Sequence, residues 1–348
     1  MADTRFTALG MAGSGKTCYI LGMYYKMCIG VHGFTLETTN QTATKLEDLM
    51  DKLDDETGKN RFPMGTTLTE VPDYSFKLNY QNQGIISFDW LDYNGGTLRQ
   101  RENNPEVFAK LEKSIKESTV LYIFIDGDLF CYDDKDKRKK EVQKKCARSI
   151  NSHITSFAEK YDEILPPIVF VITKADLCGK YLSKEEIMDI LKESFSSVFH
   201  KGTTIYAVAV SLGEEISADD YSGEIDPKNI HIPVFIGIFH EFLNYCCYLK
   251  KENQKDEAAN RKLISNSENA IDYELSRWFF TDYDRIDRCK KQIEKANADI
   301  ENNHKMLEKY KRLLNAVAQE LIDNEKIFSV FKDGNEVDFS YINDISKI

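Results

Sequence analysis

The chain has 348 residues, of which 42% are hydrophobic and 30% are charged, a balance typical of a folded globular protein. Its formal net charge of −11 argues against nucleic acid and anionic membrane as primary partners, because an acidic protein has no general affinity for either. No apolar run approaches the ~20 residues of a membrane span, and the N-terminus lacks a signal-peptide pattern, so we expect a cytoplasmic protein.

Two other compositional features favour ordinary structural roles. The 8 cysteines are scattered, without a C-x-x-C pair or Cys/His metal spacing, which predicts reduced and mostly buried thiols. The basic run over residues 135–145 is more typical of a solvated helix face than of a binding site.

The N-terminal segment contains a motif that fits a phosphate-binding loop without a gap. It reads G-M-A-G-S-G-K-T, and it lies between a predicted strand at 6–9 and a predicted helix at 16–29. The main-chain N–H groups of such a loop surround phosphate oxygens at a helix N-terminus. Lys16 is predicted to reach the β- and γ-phosphates, and the Thr17 hydroxyl to ligate Mg²⁺. The predicted phosphate-contacting residues are Gly10, Ala12, Gly13, Ser14, Gly15, Lys16, Thr17 and Cys18.

A second motif follows a predicted hairpin of strands at 75–80 and 84–90. The segment before it, residues 35–60, is polar and predicts a small helical insertion, which ends just before Thr66 and Thr67. The second strand of the hairpin ends in a D-x-x-G arrangement formed by Asp92 and Gly95. Here the Asp92 carboxylate can hold a water on Mg²⁺, and the Gly95 N–H can contact a γ-phosphate.

Buried strands and helices then alternate to about residue 250. Continuous apolar runs at 120–126, 168–172 and 204–210 predict strands buried on both faces. The second run ends in T-K-A-D, which contains Thr173, Lys174 and Asp176, and the third is followed by Ser211, Leu212 and Gly213. We therefore predict an α/β domain over 1–250 with a doubly wound, mostly parallel sheet of six strands and one antiparallel edge.

The last hundred residues predict an α-helical appendage. Apolar residues recur every seven positions from Ile286 to Phe328, with a second series three positions later that includes Phe331. This pattern over 251–333 fits either a helical hairpin within the chain or a coiled coil with another chain, so a homo-oligomer is allowed but not required. The tail, 334–348, is predicted to be loose or to form a short strand.

The three motifs, in this order, resemble those of P-loop GTPases of the Ras-like and translation-factor class. The resemblance covers about residues 4–250 and implies binding of GTP or GDP with Mg²⁺. It implies that Asp176 accepts hydrogen bonds from guanine while the Lys174 stem lies along the base. Ser211 and Leu212 would then occupy the loop at the guanine oxygen. The resemblance also implies that Thr67 or Thr66 is the switch threonine that binds Mg²⁺. Thr67 is slightly preferred. Lys16, Thr67, Asp92 and Gly95 are then the catalytic residues, and Thr17, Thr67 and Asp92 the metal-binding ones.

The chain also departs from this family pattern. A glutamine that orients the attacking water usually follows the D-x-x-G glycine, but Gly96 stands there, so we expect slow hydrolysis. Asn94, Tyr93, Arg99 or Gln100, or a partner, are candidates to replace it. The W-L-D-Y-N-G-G sequence, the helical insertion and the helical C-terminus look closer to bacterial GTPases of the double-GTPase type found beside conflict and defence genes.

Three functions fit these observations. The first is a GTP-dependent switch that signals to a protein partner through its switch loops and helical appendage. The second is an ATPase or nucleotide kinase, which would need a lid with several arginines, whereas residues 127–165 offer only Arg138 and Arg148. The third is a structural module in which the nucleotide is a bound component of the fold. Base selectivity separates the second function from the first, and nucleotide turnover separates the third.

Overall fold

The computed structural model describes residues 4–55, 58–63, 73–93, 105–161, 165–178, 183–199, 202–214, 216, 221–277, 280–324, 328–338 and 340–346. The chain divides into two compact units: Met1–His240 with Leu321–Tyr341, and Glu241–Glu320 with Ile342–Ile348. The predicted domain limits at residues 250 and 333 stay predictions.

Strands and helices alternate along the first half of the chain. In order they are β1 (Thr4–Gly10), α1 (Lys16–Ile29), β2 (Phe34–Thr38), α2 (Asn40–Asp55), a 3₁₀ turn (Lys59–Arg61), β3 (Asp73–Tyr80), β4 (Gln83–Asp92), α3 (Pro105–Glu117), β5 (Val120–Asp126) and a second 3₁₀ turn (Gly127–Phe130). The elements that follow are α4 (Lys135–Val142), a π-helical turn (Gln143–Ala147), α5 (Arg148–Tyr161), β6 (Ile168–Thr173), α6 (Ala175–Cys178), α7 (Lys184–Ser194) and β7 (Thr204–Ala209). The chain ends with α8 (Ile232–Ser276), α9 (Tyr283–Asp323), β8 (Phe328–Lys332), β9 (Asn335–Val337) and α10 (Ser340–Ser346).

In the described part of the chain, nine strands form one sheet in the order β2-β3-β4-β1-β5-β6-β7-β8-β9. The five from β4 to β7 are parallel, and the strands outside them pair antiparallel at both edges. The α/β class, the parallel-rich sheet and the C-terminal helices agree with the prediction, but the count of six strands and the single antiparallel edge are wrong. The three additional strands are β2, β8 and β9, short strands of five, five and three residues that lie at or next to the edges of the sheet.

Two of these strands replace predicted helical structure. β2 falls at the start of the predicted insertion 35–60, and its Phe34 and Leu36 face inward in the period-two pattern of an edge strand, while α2 accounts for the rest. Phe328 and Phe331, assigned to the heptad series, lie on β8, because α9 ends at Asp323. The tail forms β9 and α10, rather than loose chain.

Helices cover both faces of the sheet. On β5, Leu121, Ile123 and Ile125 belong to a core cluster that also contains side chains of α3, α4, α5 and α7. Tyr122 lies between these residues in the strand, so its side chain points to the opposite face of the sheet. There its hydroxyl donates to the Pro233 carbonyl in α8 at 3.0 Å. The doubly wound arrangement places the carboxyl ends of β1, β4, β5, β6 and β7 at one edge, where ligands of such sheets bind.

The second unit is a helical hairpin, the first of the two predicted alternatives. Tyr245 packs on Tyr310 at 4.5 Å, the Asn253 side-chain amide donates to the Asn303 carbonyl at 3.0 Å, and the Arg285 guanidinium bonds Glu274 at 2.7 Å. Along these three contacts the residue number rises on α8 while it falls on α9, so the two helices are antiparallel. The heptad positions from Ile286 to Leu321 are all buried or half buried.

Helix α8 is the one helix, among the described residues, that is long and apolar enough on composition to cross a membrane. In the most apolar 18-residue window of this helix, 67% is buried inside the protein, as in the core helix of a folded domain.

The basic run sits on α4 and the π-helical turn, where acidic partners surround it. Lys135 pairs with Asp189 at 3.7 Å, Lys139 pairs with Glu193, and Lys145 pairs with Glu141 at 2.9 Å. These are exposed ion pairs on the helix surface, which agrees with the predicted solvated face.

His240 on α8 gives the first unit a pH-dependent stability. Its Nε2 lies 2.8 Å from the Tyr206 hydroxyl, and burial, with a smaller effect of Lys332, lowers its pKa to about 3. An unfolded histidine has a pKa of about 6.5, so the unfolded state gains a proton first on acidification. We expect the free energy of unfolding to fall from pH 6.5 towards pH 3, by up to ~1.4 kcal/mol per pH unit from this residue.

Urea unfolding at pH 7, 6 and 5 checks this expectation. His240→Gln cannot titrate but can still bond Tyr206, so its unfolding free energy should depend less on pH than that of the wild type. His304→Gln is the control, because the His304 side chain is 56% exposed. Equal pH slopes for His240→Gln and the wild type would contradict the assignment.

Candidate nucleotide-binding site

The loop between β1 and α1 has the backbone of a phosphate-binding loop. Gly13 and Gly15 both have φ of +80°, a left-handed conformation that disfavours other residues. The Ser14 N–H donates to the Met11 carbonyl at 3.1 Å, and Gly15 forms the N-cap of α1. The loop therefore leads directly into a helix N-terminus, a position that favours an anion.

Lys16, Thr17 and Asp92 meet at this loop. The Lys16 ammonium donates to the Gly10 carbonyl at 2.9 Å and lies 3.8 Å from Asp92 Oδ1. The Thr17 hydroxyl donates to Asp92 Oδ2 at 3.5 Å. Asp92 ends β4, which pairs in parallel with β1, and this pairing brings the two motifs together.

Burial dominates the electrostatics of this pair. It lowers the pKa of Lys16, against the opposing effect of Asp92, and it raises the pKa of Asp92, against the opposing effects of Lys16 and Thr17. Asp92 is 1% exposed, and its Oδ1 has no hydrogen-bond partner among the described residues. A hydroxyl and a carboxylate oxygen are ligands that Mg²⁺ prefers, so Thr17 and Asp92 fit a magnesium ion or its bound water.

The T-K-A-D segment joins the loop through its first residue. The Thr173 hydroxyl lies 3.0 Å from the Ser14 carbonyl and 3.2 Å from the Ile125 carbonyl, so it connects the phosphate-binding loop to β5 and β6. The family resemblance places this residue in the segment that chooses the base, whereas in the structure its hydroxyl supports the phosphate-binding loop.

Lys174 has a φ of +51°, and its ammonium contacts Asp126 at 2.9 Å and Asp128 at 2.7 Å. Burial lowers the pKa of Lys174, but the two carboxylates outweigh it and raise the pKa above its ordinary value. Asp176 lies in the first turn of α6, directly beyond Lys174 and Ala175.

Ser211 and Leu212 lie beside this segment. The Ala175 N–H donates to the Val210 carbonyl at 3.1 Å, which holds the two loops together. The Ser211 main chain pairs with Lys228, and its hydroxyl donates to the Gly213 carbonyl at 3.2 Å. The carboxyl ends of β1, β6 and β7 thus carry three adjacent loops.

These loops line a cavity of about 420 Å³. The predicted residues that line it are Ala12, Gly13, Ser14, Gly15, Lys16, Thr17, Cys18, Thr173, Lys174, Ser211 and Leu212. Gly10, Asp92 and Asp176 are not among the described residues at its wall. Thr67 and Gly95, with the alternative Thr66, fall outside the described residues.

The sequence interpretation missed one part of this wall. Lys59, Phe62, Pro63, Asp128 and Tyr221 also line the cavity. The Phe62-Pro63 pair just before Thr66 and Thr67 was the only local signal, and nothing in the sequence joins it to Tyr221.

One candidate for the missing glutamine is excluded. Tyr93 is 2% exposed, and its hydroxyl lies 2.9 Å from the Ser114 hydroxyl of α3. Its side chain therefore belongs to the core. Asn94, Gly96, Arg99 and Gln100 fall outside the described residues.

A sequence profile of the Double-GTPase 2 family matches residues 6–215, more than half of the chain. The chain belongs to the Double-GTPase 2 family. The predicted resemblance to P-loop GTPases of the double-GTPase type is thereby confirmed, and the matched Double-GTPase 2 region includes all three motifs.

Other comparisons give less. No curated protein matches the chain. Solved structures do match, among them the GTPase-like domain of S. cerevisiae Ski7 bound to GTP, with 14% identity and a TM-score of 0.33. That match covers 60% of this Double-GTPase 2 chain and 42% of the Ski7 chain, so the likeness spans less than half of the Ski7 chain.

Proposed function

We propose that the protein is a Mg²⁺-dependent, GTP-binding switch that hydrolyses GTP slowly and signals its nucleotide state to a protein partner. The observation that carries the proposal is the meeting of Lys16, Thr17 and Asp92 beside a cavity lined by the T-K-A-D loop. Membership of the Double-GTPase 2 family supports the choice of GTP.

The residues of the chain divide the work between phosphate and base. The loop N–H groups and Lys16 bind the phosphates, and Asp176 selects guanine, because adenine would leave that carboxylate without matching donors. Thr17 and Asp92, with Thr67, would hold Mg²⁺, which supplies positive charge to the phosphate oxygens. Slow hydrolysis follows from Gly96, which cannot orient a water, and from the buried position of Tyr93.

The partner is proposed to contact the switch loops, which contain Thr67 and Gly95, and the hairpin of α8 and α9. A cytoplasmic location, a part in bacterial defence, and the absence of nucleic-acid and membrane partners stay predictions. The kinase alternative has little support from its predicted lid, because Arg138 is 7% exposed and donates to the carbonyls of Tyr132 and Asp133.

Equilibrium binding tests the proposal. Fluorescent GTP, GDP and ATP analogues are titrated onto the full chain with Mg²⁺ and with EDTA. We expect guanine nucleotides to bind at least ~100-fold more tightly than ATP, since the base site leaves adenine unpaired. We also expect Mg²⁺ to tighten GTP binding, and single-turnover hydrolysis on the order of 10⁻³ s⁻¹ or slower.

Each alternative has its own result in these measurements. ATP binding with no guanine preference would transfer the protein to the ATPase class. Tight GTP binding without any hydrolysis over days would favour the structural module.

A further inference from the structure

One part of the cavity wall outside the GTPase motifs is built from two segments far apart in the chain. Gly58–Pro63, which follows α2, contributes Lys59, Phe62 and Pro63, and the segment at 221–223 contributes Tyr221. The Phe62 and Tyr221 rings meet edge to face at 5.6 Å, and the Lys59 ammonium lies 5.6 Å from the centre of the Tyr221 ring. We call these three residues the aromatic wall.

Arg61 joins the two segments beneath the aromatic wall. Its side chain is 3% exposed, and Nη1 donates to the carbonyls of Tyr221 at 2.7 Å and Gly223 at 2.8 Å. Nε donates to the Leu53 carbonyl at 2.7 Å, one of the last carbonyls of α2, which have no partner within the helix. The Arg61 guanidinium therefore holds the end of α2, Gly58–Pro63 and the 221–223 segment together.

The hydrogen bonds of the Arg61 guanidinium are stronger than bonds between neutral groups. A buried guanidinium is unfavourable unless it is fully hydrogen-bonded, and hydrogen bonds from a charged donor are about twice as strong as neutral ones. Removing the guanidinium would break the hydrogen bonds that tie the Tyr221 and Gly223 carbonyls to Gly58–Pro63, so the two segments would separate more often. Tyr221 itself has a φ of +54°, an unfavourable conformation for tyrosine that depends on its surroundings.

We propose that Arg61 is a positioning residue that keeps the aromatic wall closed over a bound nucleotide and thereby sets the rate at which the nucleotide leaves. This inference rests on the proposed function, because it takes the cavity to be the nucleotide site. A ligand enclosed by a closed wall can leave only when the wall opens, and such openings limit release in many enzymes. Arg61 acts through Phe62 and Tyr221, not through a contact with the nucleotide.

Nucleotide release measures this role directly. The wild-type full chain is loaded with a fluorescent GDP analogue, and its dissociation is followed after an excess of unlabelled GDP is added. We expect Arg61→Ala to dissociate at least ~10-fold faster, with the ratio of GDP to ADP affinity unchanged. Arg61→Lys should be intermediate, because an ammonium reaches carbonyls but lacks the planar fork of the guanidinium.

Arg138→Ala is the matched control. Arg138 is also buried and also donates to main-chain carbonyls, those of Tyr132 and Asp133, but it does not line the cavity among the described residues. The Arg138→Ala variant should have a lower melting temperature, because it too has lost a buried, hydrogen-bonded arginine. The rate at which the nucleotide dissociates from this variant should stay within about two-fold of the wild type. Equal acceleration by Arg138→Ala and Arg61→Ala would reduce Arg61 to a general stabilising residue and overturn the proposal.

A second variant covers the case in which Arg61→Ala does not fold. Phe62→Ala leaves the Arg61 hydrogen bonds in place and removes one side of the aromatic wall, so it should also accelerate release. Wild-type dissociation rates for both Phe62→Ala and Arg61→Lys would overturn the proposal. Failure of the wild-type chain to bind guanine nucleotide is a different result, because it contradicts the proposed function before Arg61 is tested.

Discussion

Replacing Lys16 with alanine is expected to abolish tight GTP binding. In the structure the ammonium is 7% exposed and lies between the Gly10 carbonyl and Asp92, at the base of the phosphate-binding loop. Truncating one partner of a hydrogen-bonded charge pair across a binding interface, here the proposed pair of Lys16 and a GTP phosphate, typically costs about 2–5 kcal/mol. The dissociation constant should therefore rise roughly 30-fold to several thousand-fold, measured by titration of a fluorescent GTP analogue.

Two controls separate the loss of a phosphate contact from a loss of folding. GMP lacks the β- and γ-phosphates that Lys16 is proposed to reach, so its weaker binding should change little. The double variant Lys16→Ala with Asp92→Asn removes the buried carboxylate that the single variant leaves without its cation. It should regain stability in thermal unfolding without regaining GTP affinity. Unchanged GTP binding by Lys16→Ala would contradict the proposal that this loop binds the phosphates of GTP.

The parts of the site that could be predicted from the sequence are those formed by residues next to one another in the chain. The loop at Gly13 and Gly15 needs left-handed backbone, which almost dictates glycine, and its strand and helix follow directly in the chain. The continuous apolar runs of β5 and β6 predict buried parallel strands for the same local reason.

The missed parts depend on contacts between distant segments. Arg61 and Tyr221 are separated by 160 residues, and no periodicity or motif relates them. Phe328 and Phe331 are three positions apart, a spacing that suits a heptad, and only their pairing with β7 shows that they belong to a strand. Edge strands of three to five residues, such as β9 and β2, contain too few residues for a period to be evident.

Thr173 has a structural role that the prediction did not include. The family resemblance gives T-K-x-D to the base, yet the Thr173 hydroxyl contacts the Ser14 carbonyl in the phosphate-binding loop. An added Cβ on Gly15 would lie 3.1 Å from the Thr173 side chain, so the two motifs are fitted to each other. If the loop that contains T-K-A-D moved, the phosphate-binding loop would therefore have to move with it.

Replacing Asp176 with alanine is expected to remove the preference for guanine while leaving the phosphate contacts intact. The carboxylate is proposed to accept from guanine N1 and N2, and hydrogen bonds to a charged group contribute about 1.5–3 kcal/mol each. Affinity for GTP should fall at least ~100-fold and approach that for ATP, measured by competition titration. Asp176→Asn should instead favour xanthosine triphosphate, because an amide can accept from N1–H and donate to the xanthine 2-oxygen.

Asp128→Ala is the matched control for Asp176→Ala, because Asp128 is a second carboxylate near Lys174 that also lines the cavity. Asp128 lines the cavity and bonds the Lys174 ammonium at 2.7 Å, whereas Asp176 is not among the described residues at the wall. If Asp176 reads the base, Asp128→Ala should keep the guanine preference, and its main effect should be on Lys174. If instead Asp128→Ala loses the preference and Asp176→Ala keeps it, the base-reading carboxylate is Asp128. The T-K-A-D segment would then serve chiefly to place Lys174 and to support the phosphate-binding loop through Thr173.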